Sequence, residues 1–95
     1  MFVVLLKFSD NKSQAAQFMQ GHKDWIQRGF DEGVFLLVGN LQPALGGGIL
    51  AHKTSLADLQ RRVNDDPFVM MNIVTADILE IALARADARL QFLLG

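Results

Sequence analysis

The chain has 95 residues, 51% of them hydrophobic, and nine Lys and Arg against ten Asp and Glu leave a net charge of −1. Scattered and balanced charge argues against a nucleic-acid surface, and the lack of cysteine excludes disulfides, thiolate metal sites and a cysteine nucleophile in this sequence. The composition predicts one small domain, residues 1–95, of cytoplasmic type, with a core that oligomerisation would help to stabilise.

The first predicted strand covers residues 2–8, FVVLLKF, which are almost continuously apolar but too few to cross a membrane. A polar turn then leads into a predicted helix from about Ser13 to Asp31. The apolar residues of this helix fall on one side when they are placed at about 100° per residue. His22 lies near the middle of that side, so we expect it to face whatever the helix packs against.

The middle of the chain predicts two further strands. Gly33 is a suitable helix end, and VFLLVGNL, from Val34, is strongly apolar. A proline and three glycines in QPALGGG predict a loop that returns into a third strand, ILAHKTS, which carries His52.

The residue pattern in the last third of the chain predicts a helix, a strand and a short terminal helix. Ser55 and Asp58 have the spacing of a capping pair, for a helix that ends near Asn64. The segment 72–83, NIVTADILEIAL, is ambiguous between helix and strand, and we interpret it as the fourth strand because it completes the sheet. ADARLQFLL, near the end, has leucines at helical spacing.

The predicted order βαββαβ indicates a ferredoxin-like α+β fold, with a four-stranded antiparallel sheet and both main helices on one face. The other face would be left bare and apolar, because FVVLL and VFLLV are hydrophobic at nearly every position. We therefore expect a homodimer in which two sheets pack face to face, a dimeric α+β barrel.

His22 is the strongest candidate for chemistry. A histidine on an apolar helix face is more often a core residue bonded to a carbonyl than a catalyst. In a cleft between helix and sheet, however, an imidazole would suit acid–base work, because it gains and loses protons near neutral pH. Asp66, directly before Pro67, is the candidate carboxylate to orient the ring; the alternative for Asp65 and Asp66 is an ordinary solvated turn.

Other features point less clearly to a site. Phe18, Trp25 and Phe68 would line a small-molecule pocket, although apolar rings at helical spacing are more often plain core. Lys7 is a possible contact for an anionic ligand, although a lysine at a strand end usually reaches solvent. The glycines 46–48 match a phosphate loop poorly, and two histidines with no carboxylate at metal-ligand spacing in the sequence make a poor metal site, so we expect neither metal nor other cofactor.

Several segments in order resemble the YCII-related family of YciI-like proteins, from residue 1 to about residue 83. They are GHKDWI, EGVFLLVGNLQP, GGGIL, TSLADLQRRV and DDPFV. The resemblance implies a dimeric α+β barrel with a His and Asp pair in a cleft, here His22 and Asp66. It also implies that Gly39 and the following turn shape the pocket, although this chain has Asn40 where many members have proline.

Two hypotheses for function follow. The first is a cofactor-free enzyme of the lyase or isomerase type, in which His22 transfers protons and Asp66 orients it. The family resemblance implies small oxygenated aromatic or enol-like substrates and lyase or dehydrohalogenase-type steps. The alternative is a non-catalytic small-molecule-binding or dimerisation module, favoured by the lack of a second catalytic group in the sequence. Cofactor-independent oxygenase chemistry is a third possibility that rests on analogy of fold alone.

Overall fold

The computed structural model of the chain describes residues 1–94, and no helix among them is long and apolar enough to span a membrane. Four strands and three helices form the domain, together with two short 3₁₀ segments, Lys12–Gln14 and Ala88–Leu93. The strands and helices are β1 Phe2–Phe8, α1 Ala15–Asp31, β2 Phe35–Leu41, β3 Gly46–Ala51, α2 Leu56–Asn64, α3 Pro67–Met70 and β4 Val74–Glu80.

The sheet has the strand order β2-β3-β1-β4, and every neighbouring pair is antiparallel. This confirms the predicted ferredoxin-like α+β fold. β1 lies at the centre because it is the most continuously apolar strand, and the hairpin of β2 and β3 flanks it on one side.

The helices cover one face of the sheet. Along β1, Phe2, Val4 and Leu6 are buried, while Val3 and Leu5 between them point to the opposite face and are only half-buried. The core residues all lie between the helices and this covered face, or where the segment from α2 to β4 packs against it. They are Phe2, Val4, Leu6, Trp25, Val34, Phe35, Ile49, Ala51, Leu59, Val63, Phe68, Ile73 and Val74.

The opposite face is apolar and exposed. Val3 pairs with Leu50 on β3 and Leu79 on β4, and Leu50 pairs in turn with Leu37 on β2. Directly opposed residues point the same way, so these side chains form one continuous patch, in which Leu37 is 51% and Leu79 54% exposed. Homodimerisation through this face remains a prediction.

The structure corrects four details of the sequence interpretation. The glycines 46–48 lie in β3, paired with β1, and not in a loop before it. β3 ends at Ala51, so His52 follows the strand instead of lying on it, and its ring meets the edge of Phe92. β4 is shorter than predicted, and the helix α3 that precedes it was not predicted from the sequence.

The predicted helix boundaries hold at α2 and at the end of α1. The hydroxyl of Ser55 accepts a hydrogen bond from the backbone N–H of Asp58 at 3.1 Å, as the capping pair predicts. Gly33 follows α1 with a φ of 73°, a left-handed conformation that favours glycine. α1 itself begins later than predicted, because residues Lys12–Gln14 form a 3₁₀ turn ahead of it.

Near the end of the chain, the carboxylate of Asp87 caps the last 3₁₀ segment. It accepts hydrogen bonds from the backbone N–H and from the guanidinium of Arg89. The backbone hydrogen bond and then the guanidinium lower the pKa of Asp87 below its usual range. This group is fully exposed and lies outside the site described next.

Candidate active site

His22 and Asp66, which are 44 residues apart in the chain, are in direct contact. The Nδ1 atom of His22 lies 2.8 Å from Oδ1 of Asp66. An ionised carboxylate can only accept hydrogen bonds, so Nδ1 carries the hydrogen and Nε2 is left with its lone pair. Among residues 1–94 nothing hydrogen-bonds to Nε2, and this atom is not among the fully buried ones. The ring is therefore oriented at one nitrogen and accessible at the other.

The local backbone explains why Asp66 points at the histidine. Asp66 is in extended geometry before Pro67, and its Oδ1 accepts a hydrogen bond from the backbone N–H of Phe68 at 3.0 Å. It is thus the N-cap of α3, with proline at the first helical position. Because the cap fixes the carboxylate, the orientation of Oδ1 depends on α3 as well as on its contact with His22.

The Asp66 side chain is completely buried. Its Oδ2 atom has no hydrogen-bond partner in the described part of the chain. A buried carboxylate with one unpaired oxygen is costly unless a positive charge lies beside it. His22 is the ionisable group in contact with this carboxylate.

A glycine beside His22 allows α1 and α3 to approach closely. A Cβ atom at Gly21 would lie only 3.1 Å from Cγ of Pro67, which is tighter than ordinary packing. A side chain there would require Pro67, the first residue of α3, to move by a few tenths of an ångström. Gly21 therefore helps to set the distance between Asp66 and His22.

Aromatic rings hold the plane of the imidazole. Phe68 stacks on His22 with ring centroids 3.9 Å apart and planes within 2°. Trp25, one turn further along α1, lies 6.0 Å away, and its indole N–H donates to the backbone carbonyl of Arg62 at 2.8 Å. These contacts leave the His22 ring few alternative orientations.

A cavity of about 390 Å³ opens beside His22, between α1 and the end of the sheet formed by β2, β3 and β1. Its size is within the usual range for small-molecule sites, and its walls are mostly apolar. Its polar side chains are those of His22, Lys23 and Asn40. The full lining is Leu6, Phe8, Met19, His22, Lys23, Ile26, Val38, Gly39, Asn40, Gly46, Gly47, Ile49, Phe68 and Val74.

The space at this end exists partly because a side chain is missing from β3. Gly47 pairs with Leu6, whose side chain lies on the covered face and lines the cavity. A side chain at Gly47 would point the same way and enter the cavity. The glycine run of the sequence therefore makes room beside His22.

The residues predicted for the site occupy different places. Gly39 and Phe68 line the cavity with His22, whereas Asp66 lies behind the histidine and does not reach the cavity. Phe18 packs against the core, and Trp25 is 1% exposed; neither is among the lining residues.

Lys23 and Asn40 were not proposed as site residues from the sequence. Lys23 looks like a solvent-facing helix residue, and Asn40 had been singled out only because it replaces a proline. In residues 1–94, no three His, Cys, Asp or Glu side chains are grouped so as to hold a metal ion.

No protein-family model matches the chain, and no curated protein has a matching sequence. One similar solved structure is 5-chloro-2-hydroxyhydroquinone dehydrochlorinase (TftG) from Burkholderia phenoliruptrix AC1100, in complex with 2,5-dihydroxybenzoquinone. The TM-score is 0.69 and the identity 11%, over 85% of this chain and 93% of that chain. At this identity the likeness shows a shared fold, and we conclude that the chain has the same α+β architecture as that dehydrochlorinase.

Proposed function

We propose that the chain is a cofactor-free small-molecule enzyme of the lyase, isomerase or dehydrohalogenase type. His22 is its general acid–base, and Asp66 is the residue that positions His22. The observation that carries the proposal is the contact between Nδ1 of His22 and the buried carboxylate of Asp66. The same imidazole ring lines a ligand-sized cavity, and its Nε2 atom forms no hydrogen bond in the described part of the chain. Activated histidines in hydrolases are held in a similar way.

In the proposed reaction, Nε2 removes a proton from a hydroxyl or an acidic carbon of the substrate. The electron pair left behind moves into the adjacent bond, where it expels a leaving group or is protonated at a neighbouring atom. Asp66 stabilises the imidazolium meanwhile, and the protonated ring then returns its proton or releases it to solvent. The apolar walls, including Phe68 and Ile49, keep the site poor in water and strengthen these charge interactions.

The structural neighbour supports the choice of reaction type. It is a 5-chloro-2-hydroxyhydroquinone dehydrochlorinase, and its structure is that of a complex with 2,5-dihydroxybenzoquinone. A cavity of about 390 Å³ has room for one such ring.

We also propose that residues 1–95 form a single YciI-like domain that works in the cytoplasm as a homodimer. The continuous apolar patch around Val3, Leu37 and Leu79 is the proposed contact between the two sheets. Sedimentation velocity tests this assembly. We expect a dimer for the wild type and a monomer for a Leu37→Glu, Leu79→Glu double variant; a wild-type monomer at micromolar concentration contradicts the proposal.

The catalytic proposal is tested with 5-chloro-2-hydroxyhydroquinone, by chloride release, and with 2,5-dihydroxybenzoquinone in D₂O, by loss of its ring-proton signals. The variant is His22→Asn, since an Asn amide can still donate to Asp66 but has no counterpart of Nε2. We expect the wild type to accelerate at least one reaction and the variant to be about 10²- to 10⁴-fold slower, while thermal unfolding of the variant stays cooperative. If the wild type accelerates neither reaction, or if the variant keeps its rate, the proposal is wrong.

A further inference from the structure

We propose that Lys23, assisted by Asn40, makes the cavity selective for small planar organic anions, such as enolates, phenolates and ionised hydroxyquinones. The inference rests on the proposed function only in placing the ligand in the cavity beside His22. Beyond the proposed function, it states that the ligand is an anion and that Lys23 and Asn40 bind it.

The charge of the cavity lining carries the inference. The lining includes one lysine, one histidine and one asparagine, and it contains no carboxylate. Lys23 forms no ion pair with any group in residues 1–94. Asp66, the nearby acid, is completely buried behind the histidine and is already bonded to it. A ligand in the cavity therefore meets, at its solvent side, a positive charge that forms no ion pair with any described group.

The position of Lys23 on the helix suits this role. His22 and Lys23 are consecutive, so their side chains leave α1 in directions about 100° apart, and both nevertheless line the same cavity. Lys23 is exposed, whereas the His22 side chain is 14% exposed. The aliphatic part of Lys23 can lie along the wall while the ammonium group stays at the solvent side. A ring inside the cavity would then place one oxygen near Nε2 and another near the ammonium group.

Asn40 lines the cavity from the sheet, whereas His22 and Lys23 line it from α1. Asn40 is on the edge strand β2 and pairs with Gly47, which in turn pairs with Leu6 on the covered face. Its side chain consequently points to the cavity side of the sheet, where the amide can donate a hydrogen bond to an anionic oxygen. Where the resembled family often has proline, this chain thus has a side-chain donor.

Lys7 provides a matched control. It is an exposed lysine on β1, but it pairs with Gly46 and Thr75 on the face away from the helices. It is not part of the cavity lining. Removal of its charge changes the net charge of the protein as removal of Lys23 does, without any change in the cavity lining. Because Lys7 lies on the face proposed for the dimer contact, sedimentation velocity checks that Lys7→Met assembles as the wild type does.

The test is calorimetric titration of the wild type, Lys23→Met and Lys7→Met with two probes near neutral pH. The first is 2,5-dihydroxybenzoquinone, whose acidic hydroxyls are ionised; the second is hydroquinone, whose phenolic hydroxyls stay protonated, as that of tyrosine does. We expect the wild type to bind the anion more tightly, and Lys23→Met to lose about fivefold in affinity for the anion while its affinity for hydroquinone is unchanged. The preference of the wild type for the anion over hydroquinone should also weaken with added salt.

Three results would overturn the inference: equal affinity of the wild type for both probes, an anion preference that survives in Lys23→Met, or no binding of either probe. An equal loss in Lys7→Met would do so as well, because the effect would then come from net charge. These outcomes are separate from the rate test of His22→Asn. A protein that needs His22 for turnover but shows no anion preference retains the proposed function and loses this inference.

Discussion

The two ends of the interface between α1 and the sheet are built differently. At one end, Trp25 and Phe35 are almost fully buried, with ring centroids 5.2 Å apart, and a Cβ atom at Gly29 would collide with the Phe35 ring. At the other end, Gly47 leaves the sheet without a side chain, and a cavity opens beside His22. α1 therefore packs tightly at the end with Trp25 and presents His22 to the cavity at the other end. The packed end keeps the helix, and with it His22, in a fixed position.

The comparison predicts that substitutions at the packed end change mainly the free energy of unfolding. The largest effect is expected for Trp25→Ala, which removes a buried ring and the hydrogen bond to the Arg62 carbonyl. We expect a loss of about 3–5 kcal/mol in urea denaturation. Trp25→Phe keeps most of the ring and should cost less, about 1–2 kcal/mol. A loss under about 1 kcal/mol for Trp25→Ala would show that this end is not tightly packed.

Substitutions of Asp66 should change both the free energy of unfolding and the turnover rate, because Asp66 caps α3 and also orients His22. Asp66→Ala should lose about 2 kcal/mol of stability, whereas Asp66→Asn, which can still cap, should lose less. Both should lower turnover about 100-fold, since neither has a charged acceptor for Nδ1. Comparison of denaturation with rate separates the two roles. Full activity of Asp66→Asn contradicts the proposed role of the carboxylate.

Gly21→Ala should have a smaller effect. Alanine favours the helix by about 1 kcal/mol, but its methyl group would press on Pro67, so we expect a net loss of about 1 kcal/mol. The shift of α3 should lower turnover several-fold through the contact between His22 and Asp66. A variant that is more stable than the wild type and equally active would show that this close approach does not set the geometry of the pair.

The smallest change in stability is expected at the open end, for Gly47→Leu. The nearest atom to a Cβ at this position is the Gly39 carbonyl oxygen at 3.5 Å, an ordinary contact, so the unfolding free energy should change by about 0.5 kcal/mol or less. The side chain should nevertheless fill the cavity and abolish binding of 2,5-dihydroxybenzoquinone. Gly48→Ala, on the opposite face, is the control and should bind normally. Normal binding by Gly47→Leu would place the ligand elsewhere.

The main elements could be predicted from the sequence because their periodicity is strong. Apolar runs indicate the first three strands, and one-sided periodicity indicates α1 and α2. The fourth strand follows only from the need to complete the sheet, because the pattern of residues 72–83 fits helix and strand equally. α3 has only four residues, Pro67–Met70, too few for a periodic pattern. The sequence predicts a loop at glycines 46–48 because glycine is unfavourable in strands, but pairing with the central strand overrides that local preference.

The site could be predicted in part. His22 was found from its position on the helix face, and Asp66 from the proline that follows it together with the family resemblance. Phe18 and Trp25 were proposed to line the pocket because they share the apolar side of α1, but helical phase does not say which end of an interface is open. Lys23 and Asn40 were missed because a cavity created by absent side chains leaves no positive signal in the sequence.

The central claim is that Asp66 holds the His22 ring with its hydrogen on Nδ1 and the lone pair of Nε2 toward the cavity. A long-range ¹H–¹⁵N NMR spectrum of the histidine side chains measures this directly, with and without 2,5-dihydroxybenzoquinone. We predict that neutral His22 carries its hydrogen on Nδ1 and that the ¹⁵N chemical shift of Nε2 changes when the compound is added. In Asp66→Ala the ring should no longer be held in this single tautomer. A neutral His22 with its hydrogen on Nε2, and unaffected by either change, would contradict the account.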